Sequence, residues 1–212
     1  MIYFISYPKS GRTWCRTIIE EYARRTGATP KAHDWTHIGF GNVRKDRVDK
    51  GEMWRKDKYP KILIKRDPLD LLVSLYHDQI KRVTSVRKNY SNKSGRTIDD
   101  YVLEKSDSII EFREKSRGLK YEYEFSYEKM IKQPGKTFLP VMEMLFGKVD
   151  DKVYREVIKF CHFDNLSKLE RSGEIDMRGA RDFYKTRKGK VGSHREELQK
   201  ETISKLQKKF RK

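Results

Sequence analysis

The segment Tyr7-Pro8-Lys9-Ser10-Gly11-Arg12-Thr13-Trp14 gathers positive charge, a hydroxyl and a glycine directly after a short apolar run, Ile2 to Ser6. Where a strand runs into a helix, the first helical N–H groups lack intrahelical partners and the helix dipole favours negative charge. Such a corner is a place for an anion. Gly11 lets backbone approach a phosphate closely, Thr13 supplies a hydroxyl, and Lys9 and Arg12 supply charge. The order differs from the nucleotide-triphosphate loop G-x-x-x-x-G-K-[ST]. Here the lysine precedes the glycine, and no Gly-Lys-Ser/Thr triplet closes the loop. The shorter cradle suits one phosphate rather than a chain of three. The bland alternative is an ordinary strand–turn–helix corner with Trp14 in the core.

Two further segments carry anion chemistry. Arg66-Asp67-Pro68-Leu69-Asp70-Leu71-Leu72-Val73-Ser74 follows a second apolar run, Lys61 to Lys65. An arginine at a strand end can grip a phosphate bidentately, and Ser74 adds a hydroxyl from the following helix. Otherwise Arg66 is a surface ion-pair partner of Asp67 or Asp70. A third possibility, that Ile62 to Asp67 is the metal-binding strand of a kinase, is weakened by the missing Gly-Lys-Ser/Thr triplet. Thr186-Arg187-Lys188-Gly189-Lys190-Val191-Gly192 lies near the carboxy terminus, and from Lys185 to Lys212 there are eleven basic and three acidic residues. That stretch attracts anions whatever its fold, and a basic tail on a solvated face is its alternative reading.

In order and spacing these segments resemble the signatures of sulfotransferases that use 3′-phosphoadenosine 5′-phosphosulfate (PAPS). Pro-Lys-Ser-Gly-x-Thr-Trp resembles the family's 5′-phosphosulfate loop. The resemblance implies that Ser10, Gly11, Arg12 and Thr13 bind the 5′ end. It also implies that Lys9 contacts the bridging oxygen as the bond to sulfur breaks, and that Trp14 stacks on adenine. Arg66 and Ser74 match the 3′-phosphate signature Arg-x-Pro-x-Asp-x-x-x-Ser. Arg187, Lys188 and Gly189 match the Arg-Lys-Gly-x-x-Gly loop that closes over the 3′-phosphate. There the family continues with Asp-Trp, whereas this chain has Ser193-His194, a departure that bears on the packing of the loop. Tyr127-Glu128-Lys129-Met130 is similar to the family's Tyr-Glu-Asp-Met/Leu, whose tyrosine reaches adenine. Cys161-His162-Phe163 is similar to a segment whose phenylalanine covers the other face of that ring. Tyr127 and Phe163 are equally suited to a core.

Transfer to a hydroxyl needs a base, and histidine is the usual one at neutral pH. Thr36-His37 resembles the family's Thr-His pair, which makes His37 the expected base, with His33 as its competitor. The resemblance implies a sulfotransferase with PAPS as donor and 3′-phosphoadenosine 5′-phosphate (PAP) as product, working without a metal. The acceptor is a hydroxyl or amine, and the charge suggests an anionic one.

The elements that must hold these residues follow from periodicity. Ile2 to Ser6 reads as a buried strand, and Trp14, Ile18, Ile19, Tyr22 and Ala23 recur at helical spacing from Arg12 to Thr26, closed by Gly27. Strands are expected over Lys31 to His37, Lys61 to Lys65 and Leu119 to Phe125. A helix is expected from Asp67-Pro68 to Arg82, with Leu71, Leu72, Leu75 and Tyr76 inward. Two short helices are expected over Thr97 to Glu104 and Ser106 to Arg117, and a mainly helical remainder follows. Strands alternating with helices predict an α/β fold with a small, mostly parallel sheet between helices, and the resemblance makes it a P-loop-like three-layer fold. Ligands then bind beyond the carboxyl ends of the strands. No internal repeat or linker interrupts residues 1–212, so one sulfotransferase domain is expected.

The bulk composition is compatible. Hydrophobic residues make up 36%, charged residues 38% and aromatic residues 12%, which describes a folded chain with a heavily charged surface. The net charge of +18 attracts anionic small molecules or polyanions. It leaves a basic nucleic-acid-binding protein and a small-molecule kinase as rival readings, although neither explains three ordered motifs. The thiols Cys15 and Cys161 form no C-x-x-C pair, and Cys15 belongs to a core-facing stripe. No stretch has the ~20 apolar residues of a membrane helix, and the first residues are too short an apolar run for a signal peptide. A cytoplasmic protein is expected.

Overall fold

A computed structural model describes residues 1–36, 59–82, 88–90, 95–175 and 188–211. The chain divides into two compact units. One comprises Met1–Lys65 and Gly118–Gly189, and the other Arg66–Arg117 and Lys190–Lys212.

The first unit is built on four strands, β1 (Ile2–Ser6), β2 (His33–Thr36), β3 (Lys61–Lys65) and β4 (Tyr123–Ser126). They are all parallel, in the order β2-β1-β3-β4. Burial of every β1 residue explains its uninterrupted apolar run, because a parallel strand between helices has no wet face. The helices of this unit are α1 (Arg12–Thr26), a short α4 (Tyr127–Lys132), α5 (Pro134–Phe146), α6 (Asp151–Phe160) and α7 (Phe163–Ser172). Phe4, Ile62, Ile64 and Phe125 of the sheet share one core with Trp14, Cys15, Ile18, Ile19 and Tyr22 of α1 and with Phe138, Val141, Met142 and Leu145 of α5. Of the stripe read from the sequence of α1, Trp14, Ile18, Ile19 and Tyr22 are buried and Ala23 is half-buried. Gly27 ends α1 in the left-handed conformation, φ 69°, as its position suggests.

The second unit holds α2 (Pro68–Arg82), α3 (Ile98–Arg117), a short α8 (His194–Glu197) and α9 (Lys200–Arg211). Here the structure corrects the expectation of two short helices, because Ile98–Arg117 is one helix of 20 residues. The polar run Glu104 to Asp107 looks like a break, but Ser106 is buried and its hydroxyl donates to the Leu103 carbonyl at 2.7 Å. Tyr101, Val102, Ser106, Ile109, Phe112 and Ser116 form one continuous buried stripe. Two strand boundaries also differ. β2 starts at His33 and β4 at Tyr123, since ladder pairing begins only at Ile2↔His33 and Ile62↔Tyr123. Among the described residues, no helix is long and apolar enough to cross a membrane.

Candidate active site

β1 has β2 on one side and β3 is followed by β4 on the other, so the connections leaving the carboxyl ends of β1 and β3 run in opposite directions. A crevice forms at such a reversal, and ligands of open parallel sheets bind there. The loop from Tyr7 to Gly11 lies at that end.

Two left-handed residues shape this loop. Lys9 has φ 71° and is the one non-glycine with positive φ among the described residues, and Gly11 has φ 95°. A lysine held there costs about 1–2 kcal/mol, a strain typical of functional turns. Alternation between right- and left-handed backbone turns successive N–H groups into a concavity for anions. Between these two residues stands Ser10. It is 1% exposed, and its Oγ has no hydrogen-bond partner among the described residues. A buried hydroxyl without a partner costs about 1–3 kcal/mol, so its presence at this corner marks a place for a ligand acceptor. Gly11 is needed twice over. A side chain there would be strained, and its Cβ would stand 2.9 Å from Tyr127 Cδ2 and 3.1 Å from Met130 Cε.

Basic side chains crowd the corner. Burial, then repulsion from Arg16, pushes the Arg12 guanidinium down to about 10, with Asp34 acting the other way. It stays protonated at neutral pH, but in a setting where an added anion is favourable. Arg16 lies over the Trp35 ring at 5.4 Å. Thr13, half-buried, sits in the first turn of α1.

Trp14 and Tyr127, both singled out in the sequence, lie together beside the loop. Trp14 is 6% exposed, and its Nε1 donates to the Cys161 carbonyl at 2.6 Å, which fixes the ring against the start of α7. It meets Tyr127 edge-on at 6.3 Å and Phe138 at 6.1 Å. Phe163 opens α7 and is half-buried. Gly189, φ 58°, lies so close to that ring that a Cβ would fall 2.3 Å from Phe163 Cε1. The carboxy-terminal glycine and the phenylalanine, 26 positions apart in the chain, are therefore in direct contact.

In the second unit, Arg66 immediately precedes α2, and Ser74 is half-buried on that helix. Asp67 and Asp70 both accept hydrogen bonds from backbone N–H groups. Asp67 caps α2, with Oδ1 accepting from the N–H groups of Leu69 and Asp70, each at 3.0 Å. Asp70, 1% exposed, accepts from the N–H groups of Gly192 at 2.5 Å and His194 at 3.0 Å, from Ser193 Oγ at 3.4 Å and from His194 Nδ1 at 2.8 Å. Burial would raise this carboxyl, but the donors of Gly192 and His194 outweigh it and hold it below its ordinary value. The sequence showed Asp70 as a motif position and a possible partner of Arg66, not as a partner of residues 192–194. The signal that was available was the replacement of Asp-Trp by Ser193-His194.

His37 and Arg187 lie outside the described residues. Among the other histidines, His33 Nδ1 is 3.0 Å from the Lys31 carbonyl and its ring packs edge-on to Phe4 and Trp35. His77 pairs with Glu197 at 2.5 Å. Lys188 is exposed.

A family model for the sulfotransferase domain matches residues 50–212. The chain belongs to the sulfotransferase domain family. The matched stretch includes the segments of Arg66, Tyr127, Phe163 and Gly189 but begins after the Lys9–Trp14 loop. Solved structures share the fold. A retinol dehydratase solved with androsterone and PAP superposes over 99% of this chain and 79% of its own, with a TM-score of 0.70 at 14% identity. A mouse sulfotransferase complexed with PAP covers 98% of this chain and 81% of its own, with a TM-score of 0.63 at 18% identity. Cytosolic sulfotransferase 12 of Arabidopsis thaliana is 28% identical over 144 residues, which is 63% of this chain. The aligned stretch spans 43% of that relative's length. The sulfotransferase-family chain thus has the expected α/β architecture, with its small parallel sheet flanked by helices.

Proposed function

We propose that this protein transfers the sulfuryl group of PAPS to a hydroxyl or amine. The observation that carries the reading is Ser10, whose buried Oγ has no hydrogen-bond partner among the described residues and stands between two left-handed residues at the carboxyl end of β1. A 5′-phosphate accepts such a hydroxyl together with the N–H groups of the loop and the charge of Arg12. PAP in the neighbouring sulfotransferase structure supports the choice of nucleotide.

In this reading the loop residues Ser10, Gly11, Arg12 and Thr13 bind the 5′ end. Trp14, Tyr127 and Phe163 hold the adenine, with the Trp14 ring fixed in place by the Cys161 carbonyl. Arg66, Ser74, Arg187, Lys188 and the Gly189 backbone receive the 3′-phosphate and so set the position of the donor. Lys9 stabilises the negative charge that builds on the bridging oxygen as the sulfur–oxygen bond breaks. His37 takes the proton of the acceptor nucleophile on the far side of sulfur, which makes the displacement in-line. The scheme needs no metal, and its setting is the cytoplasm. The net charge of +18 suits an acceptor that carries an anionic group.

Calorimetry with PAP, followed by transfer from labelled PAPS across neutral and anionic alcohols, phenols and amines, tests the reading. Tight PAP binding and chelator-insensitive transfer are expected. Absence of PAP binding refutes it, and Mg²⁺-dependent phosphoryl transfer from ATP would turn it into a kinase.

A further inference from the structure

Asp70 and the segment from Gly192 to His194 form a second buried device that no step above uses. One carboxylate, 1% exposed, receives two backbone N–H groups, a serine hydroxyl and an imidazole nitrogen from three consecutive residues. Bringing the amides of Gly192 and His194 to one carboxylate requires a tight reversal, and Gly192 supplies it with φ 81°. The His194 ring is 7% exposed, so Nδ1 is aimed at Asp70 within the fold rather than at solvent.

Asp67 Oδ1, at the cap of the helix that carries Asp70, lies 3.7 Å from His194 Nδ1. On the histidine's own side, Lys190 pairs with Glu196, and Glu197 with His77 of α2. Asp67, Asp70 and His194 offer ligand atoms within 4.8 Å of one another. A cation there would have to displace N–H donors from Asp70, so the cluster reads as a latch for backbone rather than a metal site.

Only Lys190 and Val191 separate the latched residues from Lys188 and Gly189 in the chain. We propose that His194 is a positioning residue for the 3′-phosphate: its Nδ1–H to Asp70 locks Gly192–His194 and so restrains the short stretch of chain that leads back to Lys188 and Gly189. Ser193-His194, where the family has Asp-Trp, is then a different way of locking the same loop. The inference rests on the nucleotide reading above.

The test compares His194→Asn with His194→Gln. Asparagine places an amide N–H where Nδ1 stands, whereas glutamine places it where Nε2 stands and leaves Asp70 one donor short. Affinities for PAP and for AMP, which lacks the 3′-phosphate, are measured by calorimetry. With His194→Gln, PAP should weaken about tenfold, the equivalent of one lost hydrogen bond to a charged group, while AMP is unchanged. The KM for PAPS should rise with kcat at saturating donor retained. His194→Asn should keep PAP binding within about threefold of the parent. Equal weakening of PAP and AMP, or no change with glutamine, overturns the proposal. Amide exchange of Gly192 and His194 in full-length protein separates the two readings. Their protection should fall in His194→Gln and in Asp70→Asn even if the parent binds neither nucleotide, an outcome that sinks the nucleotide reading alone. Unaltered protection sinks the latch.

Discussion

Replacing Ser10 by alanine should move two measurements in opposite directions. In the free protein the Ser10 hydroxyl is buried at 1% exposure with no partner among the described residues. Removing it deletes an unsatisfied polar group worth about 1–3 kcal/mol and adds no strain, because Ser10 is not among the residues with positive φ. For a domain of this size each kcal/mol moves the melting temperature by about 2–4 °C, so Ser10→Ala should melt several degrees higher. With nucleotide the sign reverses. A hydrogen bond to a phosphate is worth about 1.5–3 kcal/mol, so PAP affinity should fall about 10- to 150-fold. Differential scanning calorimetry without ligand and titration calorimetry with PAP read the two effects. A lower melting temperature would mean that Ser10 serves the free fold. Unchanged PAP affinity would mean that its hydroxyl faces no phosphate. Stability given up at a binding corner is a common trade at functional sites.

Other outcomes follow from the same geometry. Lys9→Ala should lower turnover on the order of a hundredfold or more with nearly unchanged PAP affinity, measured with labelled PAPS and the best acceptor, as expected for a group that acts on charge formed in the transition state. Burial pushes the Cys161 thiol up to about 12 and raises Cys15 as well. Both should resist alkylation in the native protein at mildly alkaline pH and react once it unfolds. Because Asp70 is held below its ordinary value, the unfolded chain binds more protons than the native one between the folded and unfolded pKa values. Its contribution to stability is thus present above about pH 4 and lost as pH falls through the folded value, so the acid limb of a stability–pH curve should be shallower in Asp70→Asn.

The strand and helix from Ile2 to Thr26 were legible in the sequence to the residue, because an apolar run, a turn glycine and a 3.6-residue stripe are local signals. The same holds for Lys61–Lys65 and Pro68–Arg82. Short edge strands were less legible. Their ends depend on which residues find a ladder partner, and Lys31 and Leu119 find none in the strand pairs. The break expected near Lys105 was wrong for a related reason. Ser106 looks like a helix interruption in one dimension but is absorbed by a buried hydrogen bond in three.

What the amino-acid order determined by itself was the chemistry at each corner, since residue type and spacing along one turn suffice to gather charge, hydroxyl and free N–H groups. What only tertiary structure decided was which distant groups complete one another. Trp14 is fixed by a carbonyl 147 residues away, and Asp70 by an imidazole 124 residues away. Ser10 is left with a buried hydroxyl that the described protein does not satisfy. Hydrogen-bond satisfaction is a through-space property of the folded chain, and it leaves no periodic trace in the sequence.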